Sequence, residues 1–184
     1  MSGPFPRLAR AVALVVAAAG LCSTATTVGP LASSASATTY VTLSTFDSRL
    51  LADINNARAA RGIRRLAVVA GTTDVAHGWS CRLASLRYLA HNPNLGSQLE
   101  THGSYYWTTY GENVGMVPTT SGADTLFHAY MNSAPHRANI LDPDFKYIGV
   151  FTKRTAVYRW NTLDFVGRYS SSYNYGYGAT RRTC

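Results

Sequence analysis

Apolar residues in the segment 44–62 recur at the spacing of an amphipathic α-helix and predict the first helix there. Ser44 with Asp47 three residues later resembles a capping box at the start of this helix. Gly62 suits the position just past its end, where left-handed backbone is common. The repeated apolar positions are Phe46, Leu50, Ile54 and Ala57.

The segment 73–90 carries a second helical pattern, which the turn-forming pair Asn92-Pro93 closes. At 100° per residue its apolar side chains fall within an arc of about 80° and predict one buried stripe. His77 and Cys81 lie nearly opposite this stripe, so both are expected to face solvent or a covering segment. The stripe consists of Val75, Trp79, Leu83, Leu86 and Ala90.

The rest of the chain predicts a loop, a third helix and two strands. A loop rich in Gly, Tyr and Thr covers 92–110, and the third helix covers 124–134 and ends at Pro135. Apolar runs at 147–152 and 156–166 predict strands joined as a hairpin. Helices that precede an antiparallel sheet indicate an α+β fold, and the length suits one domain built as an α-β-α sandwich.

The N-terminal segment, residues 1–37, has the features of a cleaved export signal. Two arginines precede an apolar stretch at 11–22, and Ala35-Ser36-Ala37 forms an A-x-A cleavage site. The apolar stretch is shorter than the roughly 20 residues that a membrane span needs. We therefore expect a secreted protein of residues 38–184 without a transmembrane span.

Composition and charge narrow the functional classes. Hydrophobic residues make up 46% of the chain and charged residues 14%, which excludes collagen, coiled coils and long disordered arrays. The net charge of +8 comes mostly from arginines that are scattered without a long run. No nucleic-acid-binding motif accompanies them, and export argues against that partner. The charge favours contacts with acidic envelope polymers or anionic lipid heads.

Cleavage after Ala37 would remove Cys22 and leave two cysteines, Cys81 and Cys184. An even pair of cysteines in an oxidising compartment predicts one disulfide. Neither cysteine belongs to a CxxC or CxH cluster, so a structural zinc site is the poorer interpretation.

His91, Glu112 and His136 are the candidate functional residues, since each lies where an element meets a loop. Two imidazoles and a carboxylate can bind a divalent metal with an open coordination position, or relay protons. The alternative is a pair of hydrogen-bonded structural histidines, because these residues are far apart in sequence, unlike the compact motif of a zinc protease.

Other polar and aromatic residues have plainer interpretations. At 100° per helical residue, His77 and His128 fall on outward helix faces and are expected to be solvated. Trp79 and Trp160 are expected to be core residues. An aromatic cluster beside Glu112 either lines a cleft for an apolar or carbohydrate ligand or anchors its loop. The cluster is Tyr105, Tyr106, Trp107 and Tyr110. Structural hydrogen bonds are expected from Asn55, Arg58, Asn113, Arg137 and Asn139.

Several short motifs occur in a set order along the chain. They are Leu51-x-x-Ile54-Asn55-x-x-Arg58-x-x-x-Gly62, Ala76-x-x-Trp79-Ser80, His91-Asn92-Pro93, Gly111-Glu112-Asn113-Val114, Tyr130-Met131-Asn132-Ser133-Ala134-Pro135-His136-Arg137-Ala138-Asn139-Ile140-Leu141 and Tyr147-Ile148-Gly149-Val150. As an ordered set they resemble the CAP superfamily of cysteine-rich secretory proteins, insect venom antigens, plant pathogenesis-related proteins and bacterial relatives. The resemblance covers about residues 46–167, and the tail beyond is rich in Tyr, Gly and Ser.

The resemblance implies an α-β-α sandwich with a central cleft lined by His91, Glu112 and His136. Animal and plant members carry a second cleft glutamate, and Ser133 stands at the matching place here, as it does in many bacterial relatives. With one acid in place of two, the site is expected to bind divalent metal weakly. Zinc, which accepts imidazole, is expected to bind better than magnesium or calcium, which prefer oxygen.

Three functions remain open from the sequence. The leading interpretation is a secreted protein that binds a lipid, a metal, an envelope polymer or a partner protein through this cleft. The second is a metal-dependent hydrolase or peptidase that uses His91, Glu112 and His136. The third is a structural envelope protein. No GxSxG or HExxH motif is present, which argues against the enzyme.

Overall fold

A computed structural model of the chain describes residues 42–102, 107–167 and 184. The predicted export signal, Tyr105, Tyr106 and most of the Tyr-, Gly- and Ser-rich tail lie outside these residues. The helices are α1 Thr45–Ala59, α2 Ala70–Leu86, α3 Leu95–Thr101, α4 Ala123–Asn132 and α5 Ala134–Leu141. The strands are β1 Ala67–Val68, β2 Tyr110–Pro118, β3 Tyr147–Arg154 and β4 Tyr158–Val166. In this part of the chain, no helix is long and apolar enough to cross a membrane.

The four described strands form one sheet in the order β1-β3-β4-β2. Strand β1 pairs with β3 in parallel, and the other pairs are antiparallel. The predicted hairpin is confirmed, although its turn follows Arg154 and each strand differs by two residues at that end. Strand β2 pairs only with β4 among the described strands, so it forms an edge of the sheet.

Helices pack on both faces of the sheet, which confirms the α-β-α arrangement. On one face, α2 packs along β3 and β4, and Leu83 meets Val114 and Trp160 there. The opposite face packs against α1, α4 and α5 in the largest hydrophobic cluster. That cluster includes Leu50, Ile54, Leu126, Tyr130, Ile140, Ile148, Val150, Leu163 and Phe165.

Helix α1 forms as its pattern predicts. The Ser44 hydroxyl accepts a hydrogen bond from the Asp47 backbone N–H at 3.1 Å. Leu50, Ile54 and Arg58 lie one turn apart and are fully buried, because they share one face of the helix. The helix ends at Ala59, and Gly62 follows with a φ of +69° that favours glycine.

Helix α2 spans Ala70–Leu86, so the prediction of 73–90 was wrong by several residues at both ends. Arg87 ends the helix with a φ of +62°, and the Arg87 N–H donates to the Leu83 carbonyl. The buried arc is wider than the apolar stripe, because small residues such as Thr72, Ala76 and Ser80 also pack on the sheet. His77 is therefore half-buried against Phe151, whereas the sequence predicted a solvated side chain.

The predicted third helix is two helices. Ser133 has extended backbone, with φ −95° and ψ 121°, and separates α4 from α5. Pro135 lies in the first turn of α5, where its missing N–H costs little, so it does not end the helical region. Helix α3 was also missed within the predicted loop, since its buried apolar residues are only Leu95 and Leu99.

Candidate functional site

Glu112 lies on the edge strand β2 and is the buried centre of the candidate site. Its side chain shares a face of the sheet with Val114, which packs against α2. Glu112 Oε1 accepts hydrogen bonds from the Asn92 backbone N–H at 2.9 Å and from His91 Nδ1 at 2.7 Å. The His91 side chain is 66% exposed, whereas that of Glu112 is only 4% exposed. The segment that follows α2 therefore fixes one imidazole on a buried carboxylate.

His136 reaches the same edge from the opposite layer of the sandwich. It lies in the first turn of α5, whereas the sequence predicted it at the exit of a helix. Asn113 Nδ2 donates to the His136 carbonyl at 3.0 Å, and the imidazole packs edge-on against Tyr130 at 5.2 Å. Because neighbouring residues on a strand face opposite sides, Glu112 contacts the first layer and Asn113 the second.

Hydrogen bonds from Asn139 hold α5 against β2. Its Nδ2 donates to the Glu112 carbonyl at 3.1 Å and to Asn113 Oδ1 at 2.9 Å. A Cβ at Gly111 would lie 2.9 Å from the Phe145 ring and 3.2 Å from Asn139 Oδ1, so only glycine permits this approach. The structural role predicted for Asn113 and Asn139 is confirmed.

Burial changes the proton affinities of the site. It raises the pKa of Glu112, although hydrogen bonds from Asn92 and His91 oppose this. Burial lowers the pKa of His136, and the nearby charge of His91 lowers it further. Glu112 thus contacts His91 directly, whereas His136 is joined to the same strand through Asn113. A neutral imidazole can act as a ligand or as a hydrogen-bonding partner.

Asp164 is a second buried acid that sequence reasoning missed. It pairs with Glu112 across β4 and β2, so the two side chains point to the same face of the sheet. Among the described residues, Glu112 Oε2 and both carboxylate oxygens of Asp164 are buried without a hydrogen-bond partner. Burial raises the pKa of Asp164 well above its usual range, and Glu112 raises it further. Only the strand register, which composition does not reveal, could have identified this neighbour.

The part of the aromatic cluster that the structure describes anchors its loop. Trp107 packs against a core cluster that contains Val75 and Leu99, and it meets the Tyr110 ring edge-on at 4.5 Å. Tyr110 covers Gly96 at the start of α3. The anchoring interpretation therefore accounts for Trp107 and Tyr110.

Two other features of the fold do not include His91, Glu112 or His136. One is a shallow surface groove, and the other is a tight cluster of metal-ligating side chains. A groove of about 350 Å³ lies between α1 and α4, with His128 exposed at its rim. Among the described residues, the group whose ligand atoms all lie within 4.8 Å of one another is His77, Cys81 and Cys184. We place the candidate site at Glu112 because its buried carboxylate is paired with an imidazole there, whereas the groove is open and shallow.

The predicted disulfide between Cys81 and Cys184 is confirmed. The bond joins residues 103 positions apart, with Cα atoms separated by 5.6 Å. This separation lies within the usual range for disulfides. The bond ties Cys184 to the middle of α2.

Comparisons with known proteins agree with this architecture. The sequence profile of the cysteine-rich secretory protein family, CAP, matches residues 51–164. The uncharacterized protein YkwD of Bacillus subtilis (strain 168) is 27% identical over 130 residues, which cover 68% of this chain and 49% of YkwD. This chain thus spans about half the length of that relative.

Solved structures share the fold. An extracellular protein containing an SCP domain from Bacillus anthracis str. Ames is 25% identical with a TM-score of 0.55, over 66% of this chain and 40% of that one. An outer surface protein of Borrelia burgdorferi is 17% identical with a TM-score of 0.56, and the match covers 66% of this chain and 91% of that protein. A cysteine-rich secretory protein of Staphylococcus aureus is 22% identical with a TM-score of 0.55, and the match covers 66% of this chain and 38% of that protein. The family match spans more than half of the chain and includes the candidate site, so the protein belongs to the cysteine-rich secretory protein (CAP) family.

Proposed function

We propose that this chain is an extracellular binding protein whose ligand contacts His91, Glu112 and His136. The observation that carries the proposal is the Glu112 carboxylate. One of its oxygens bonds His91 and Asn92, while the other is buried without a partner among the described residues. A buried acceptor that lacks a partner is costly, so a cation or a hydrogen-bond donor at this point would stabilise it. Export is supported by relatives described as extracellular or outer surface proteins.

Zinc is the simplest probe for this site. The two imidazoles and one carboxylate suit zinc better than magnesium or calcium, which prefer more oxygen ligands. The ligand atoms are not gathered within 4.8 Å of one another, so His91 and His136 would have to move together around the ion. His91 would have to give up its hydrogen bond to Glu112 to do so, and its largely exposed side chain leaves room for that rotation. We therefore expect weak binding.

Titration calorimetry with zinc tests the proposal. The native protein is expected to bind one zinc ion weakly, and the double variant His91→Ala/His136→Ala is expected to lose most of this heat. His128→Ala is the matched control, because His128 is exposed on α4 and lies apart from Glu112. Binding should also weaken at acidic pH, because a protonated imidazole cannot bind the ion, and the lowered pKa of His136 places its share of this loss below the usual value of about 6.5. Unchanged zinc uptake in the double variant would contradict the proposed site.

The same protein separates binding from hydrolysis. If zinc-loaded protein cleaves peptides, and Glu112→Gln abolishes cleavage while zinc still binds, Glu112 is a general base and the hydrolase interpretation replaces ours. If zinc does not bind, organic ligands with a hydrogen-bond donor become the candidates. In that case a ligand-induced shift of the His91 and His136 ring resonances in NMR spectra would report on the site directly.

A further inference from the structure

Three metal-ligating side chains meet on α2, apart from Glu112: His77, Cys81 and Cys184. One ligand atom of each lies within 4.8 Å of the others. We propose that reduction of the Cys81–Cys184 disulfide converts this cluster into a zinc site with two cysteine ligands and one histidine ligand. It shares no residue with the site at Glu112, so the two proposals stand independently.

The helix places two of the ligands side by side. His77 and Cys81 are four residues apart on α2, so they occupy one face a single turn apart. The His77 ring packs edge-on against Phe151 of β3 at 4.2 Å, which restricts its orientation. Both residues are half-buried, whereas Cys184 is exposed. The cluster thus has two positioned ligands and one accessible ligand.

The spacing agrees with tetrahedral zinc. With Zn–N of about 2.05 Å and Zn–S of about 2.3 Å, a tetrahedral ion holds a nitrogen and a sulfur ligand about 3.6 Å apart. His77 Nε2 lies 3.8 Å from Cys184 Sγ. Two sulfur ligands of the same ion would lie about 3.8 Å apart. The spacing of His77 and Cys184 therefore already suits zinc, and the two sulfurs reach theirs once the S–S bond opens.

Reduction supplies that change. A dithiol reductant transfers two electrons and two protons to the disulfide, so that the S–S bond breaks, two thiols form and the reductant becomes a disulfide. Zinc then binds both sulfurs as thiolates and releases their two protons, while neutral His77 contributes its imidazole. Water fills the fourth position. Thiolate and imidazole ligands favour zinc over magnesium or calcium. The oxidised cluster lacks thiolates, so zinc occupancy would follow the redox state.

Cobalt(II) is a suitable probe, because thiolate ligands give it a charge-transfer absorption that imidazole and carboxylate ligands do not. The experiment uses the full chain with Cys22→Ser, which removes the third thiol. After reduction with a phosphine, we expect one equivalent of cobalt to produce this absorption and zinc to displace it. The oxidised chain should not show it. His77→Ala is expected to weaken binding by more than about tenfold, as loss of a ligand should exceed loss of an outer-shell partner.

Two controls make the test decisive. His128→Ala removes an exposed helical histidine and should leave the absorption unchanged, as should His91→Ala/His136→Ala, because those residues belong to the other site. Near-ultraviolet circular dichroism follows the fold of each reduced variant. The proposal is overturned if the reduced chain shows no thiolate absorption, if it is unfolded with cobalt present, or if His77→Ala binds cobalt as tightly as the parent.

Discussion

At the scale of single residues, Arg58 shows how backbone carbonyls can hold a buried charge, with the opposite charge of Asp142 nearby. The side chain is fully buried, and its guanidinium donates to four backbone carbonyls. These carbonyls come from two separate segments, the loop after α1 and the region around the end of α5. The acceptors are the carbonyl oxygens of Arg64, Ile140, Asp142 and Phe145. Arg58 thus joins parts of the chain that are more than 80 residues apart.

Arg58→Lys is expected to destabilise the protein strongly although it keeps the charge. A lysine ammonium cannot match the fixed fork of the guanidinium, so buried carbonyls lose their donors. We expect the free energy of unfolding to fall by about 3 kcal/mol or more. Urea denaturation measures this loss. Arg61→Ala, at an exposed position, should change the value by less than about 0.5 kcal/mol, and an equal effect of both variants would refute the role given to Arg58.

Asp164 gives a prediction about pH. Its pKa is raised by burial and by Glu112, so the folded protein holds this proton more tightly than the unfolded chain does. The protonated Asp164 carboxyl stabilises the folded state relative to the ionised one at low pH. This contribution to the free energy of unfolding is lost as pH rises above the pKa of aspartate in the unfolded chain, about 3.9. Removing the carboxyl with Asp164→Asn should therefore raise the stability relative to the native protein, increasingly so at higher pH.

Urea denaturation of both proteins between pH 4 and pH 8 tests this. The difference in free energy of unfolding should grow by up to about 1.4 kcal/mol for each pH unit. Comparing the two proteins cancels the contributions of Asp47 and His136, whose pKa values are also shifted by burial, whereas Glu112 is coupled to Asp164 and its titration is part of the measured difference. Ser85→Ala, an exposed change on α2 that removes no titratable group, serves as the control and should show a flat difference. A flat difference for Asp164→Asn as well would contradict the argument.

At the scale of elements, α2 lies so close to β3 that the sheet must carry a glycine beneath it. A Cβ at Gly149 would lie 2.2 Å from the Thr72 carbonyl oxygen and 2.6 Å from the Thr73 nitrogen. Both atoms belong to helix backbone, which cannot rotate away. Small side chains on the facing side of α2 permit the same approach, and this explains why its buried face is polar as well as apolar.

Gly149→Ala and Gly78→Ala therefore form a matched pair with opposite expected effects. Gly149→Ala must push the helix from the sheet and should lower stability by about 3 kcal/mol. Gly78 lies on the exposed side of α2 with no atom within 4 Å of an added Cβ, so alanine there should raise stability by about 0.5–1 kcal/mol. Thermal unfolding of both variants distinguishes them. A harmless alanine at 149 would mean that the helix and strand are not in close contact.

The elements with strong local signals could be predicted from the sequence. Helix α1 has a capping serine, a clear apolar repeat and a terminal glycine, and the apolar runs of β3 and β4 are long. The missed elements lack such signals. Helix α3 has seven residues with two buried apolar side chains, and β1 has two residues that are ordered by pairing with β3. Strand β2 was missed as well, because glycines and polar residues interrupt its apolar pattern. Partners distant in sequence determine these elements, so local periodicity does not reveal them.

The candidate site was predicted only in part for the same reason. Glu112, His91 and His136 could be named from the sequence because they lie in recognisable motifs, although the structure places Glu112 within β2 and not at the end of an element. The neighbour Asp164 could not, since it becomes a neighbour only through the register of β4 against β2. The half-buried state of His77 also depended on packing, because small polar residues extend the buried face of α2.

At the scale of the whole molecule, the candidate site lies at an edge strand that both helical layers contact. Glu112 and Asn113 are adjacent on β2, yet one contacts the segment after α2 and the other contacts α5. A strand inside the sheet would have neighbours on both sides that keep the two layers apart. The edge position of β2 therefore explains how residues from opposite layers contact one strand.

The disulfide gives the last prediction, since it constrains the largest loop of the described fold. The two cysteines are 103 residues apart, and closing a loop of this length removes unfolded-chain entropy equivalent to about 4.7 kcal/mol of stability. Disulfides typically contribute about 2–4 kcal/mol to the free energy of unfolding. We expect Cys81→Ser/Cys184→Ser to lose about that much stability in urea denaturation while near-ultraviolet circular dichroism still reports a folded core. The three hydrophobic clusters contain neither cysteine, which is why the fold should survive.

Mass spectrometry of a non-reduced digest provides the complementary measurement. Peptides that contain Cys81 and Cys184 should appear joined, and neither cysteine should react with an alkylating reagent before reduction. Alkylation of Cys81 in the folded protein would contradict the disulfide. Because the bond attaches Cys184 to the middle of α2, next to His77, its loss should also expose the half-buried imidazole. A change in the ring resonances of His77 on reduction, without a change in those of His128, would locate this effect at the helix.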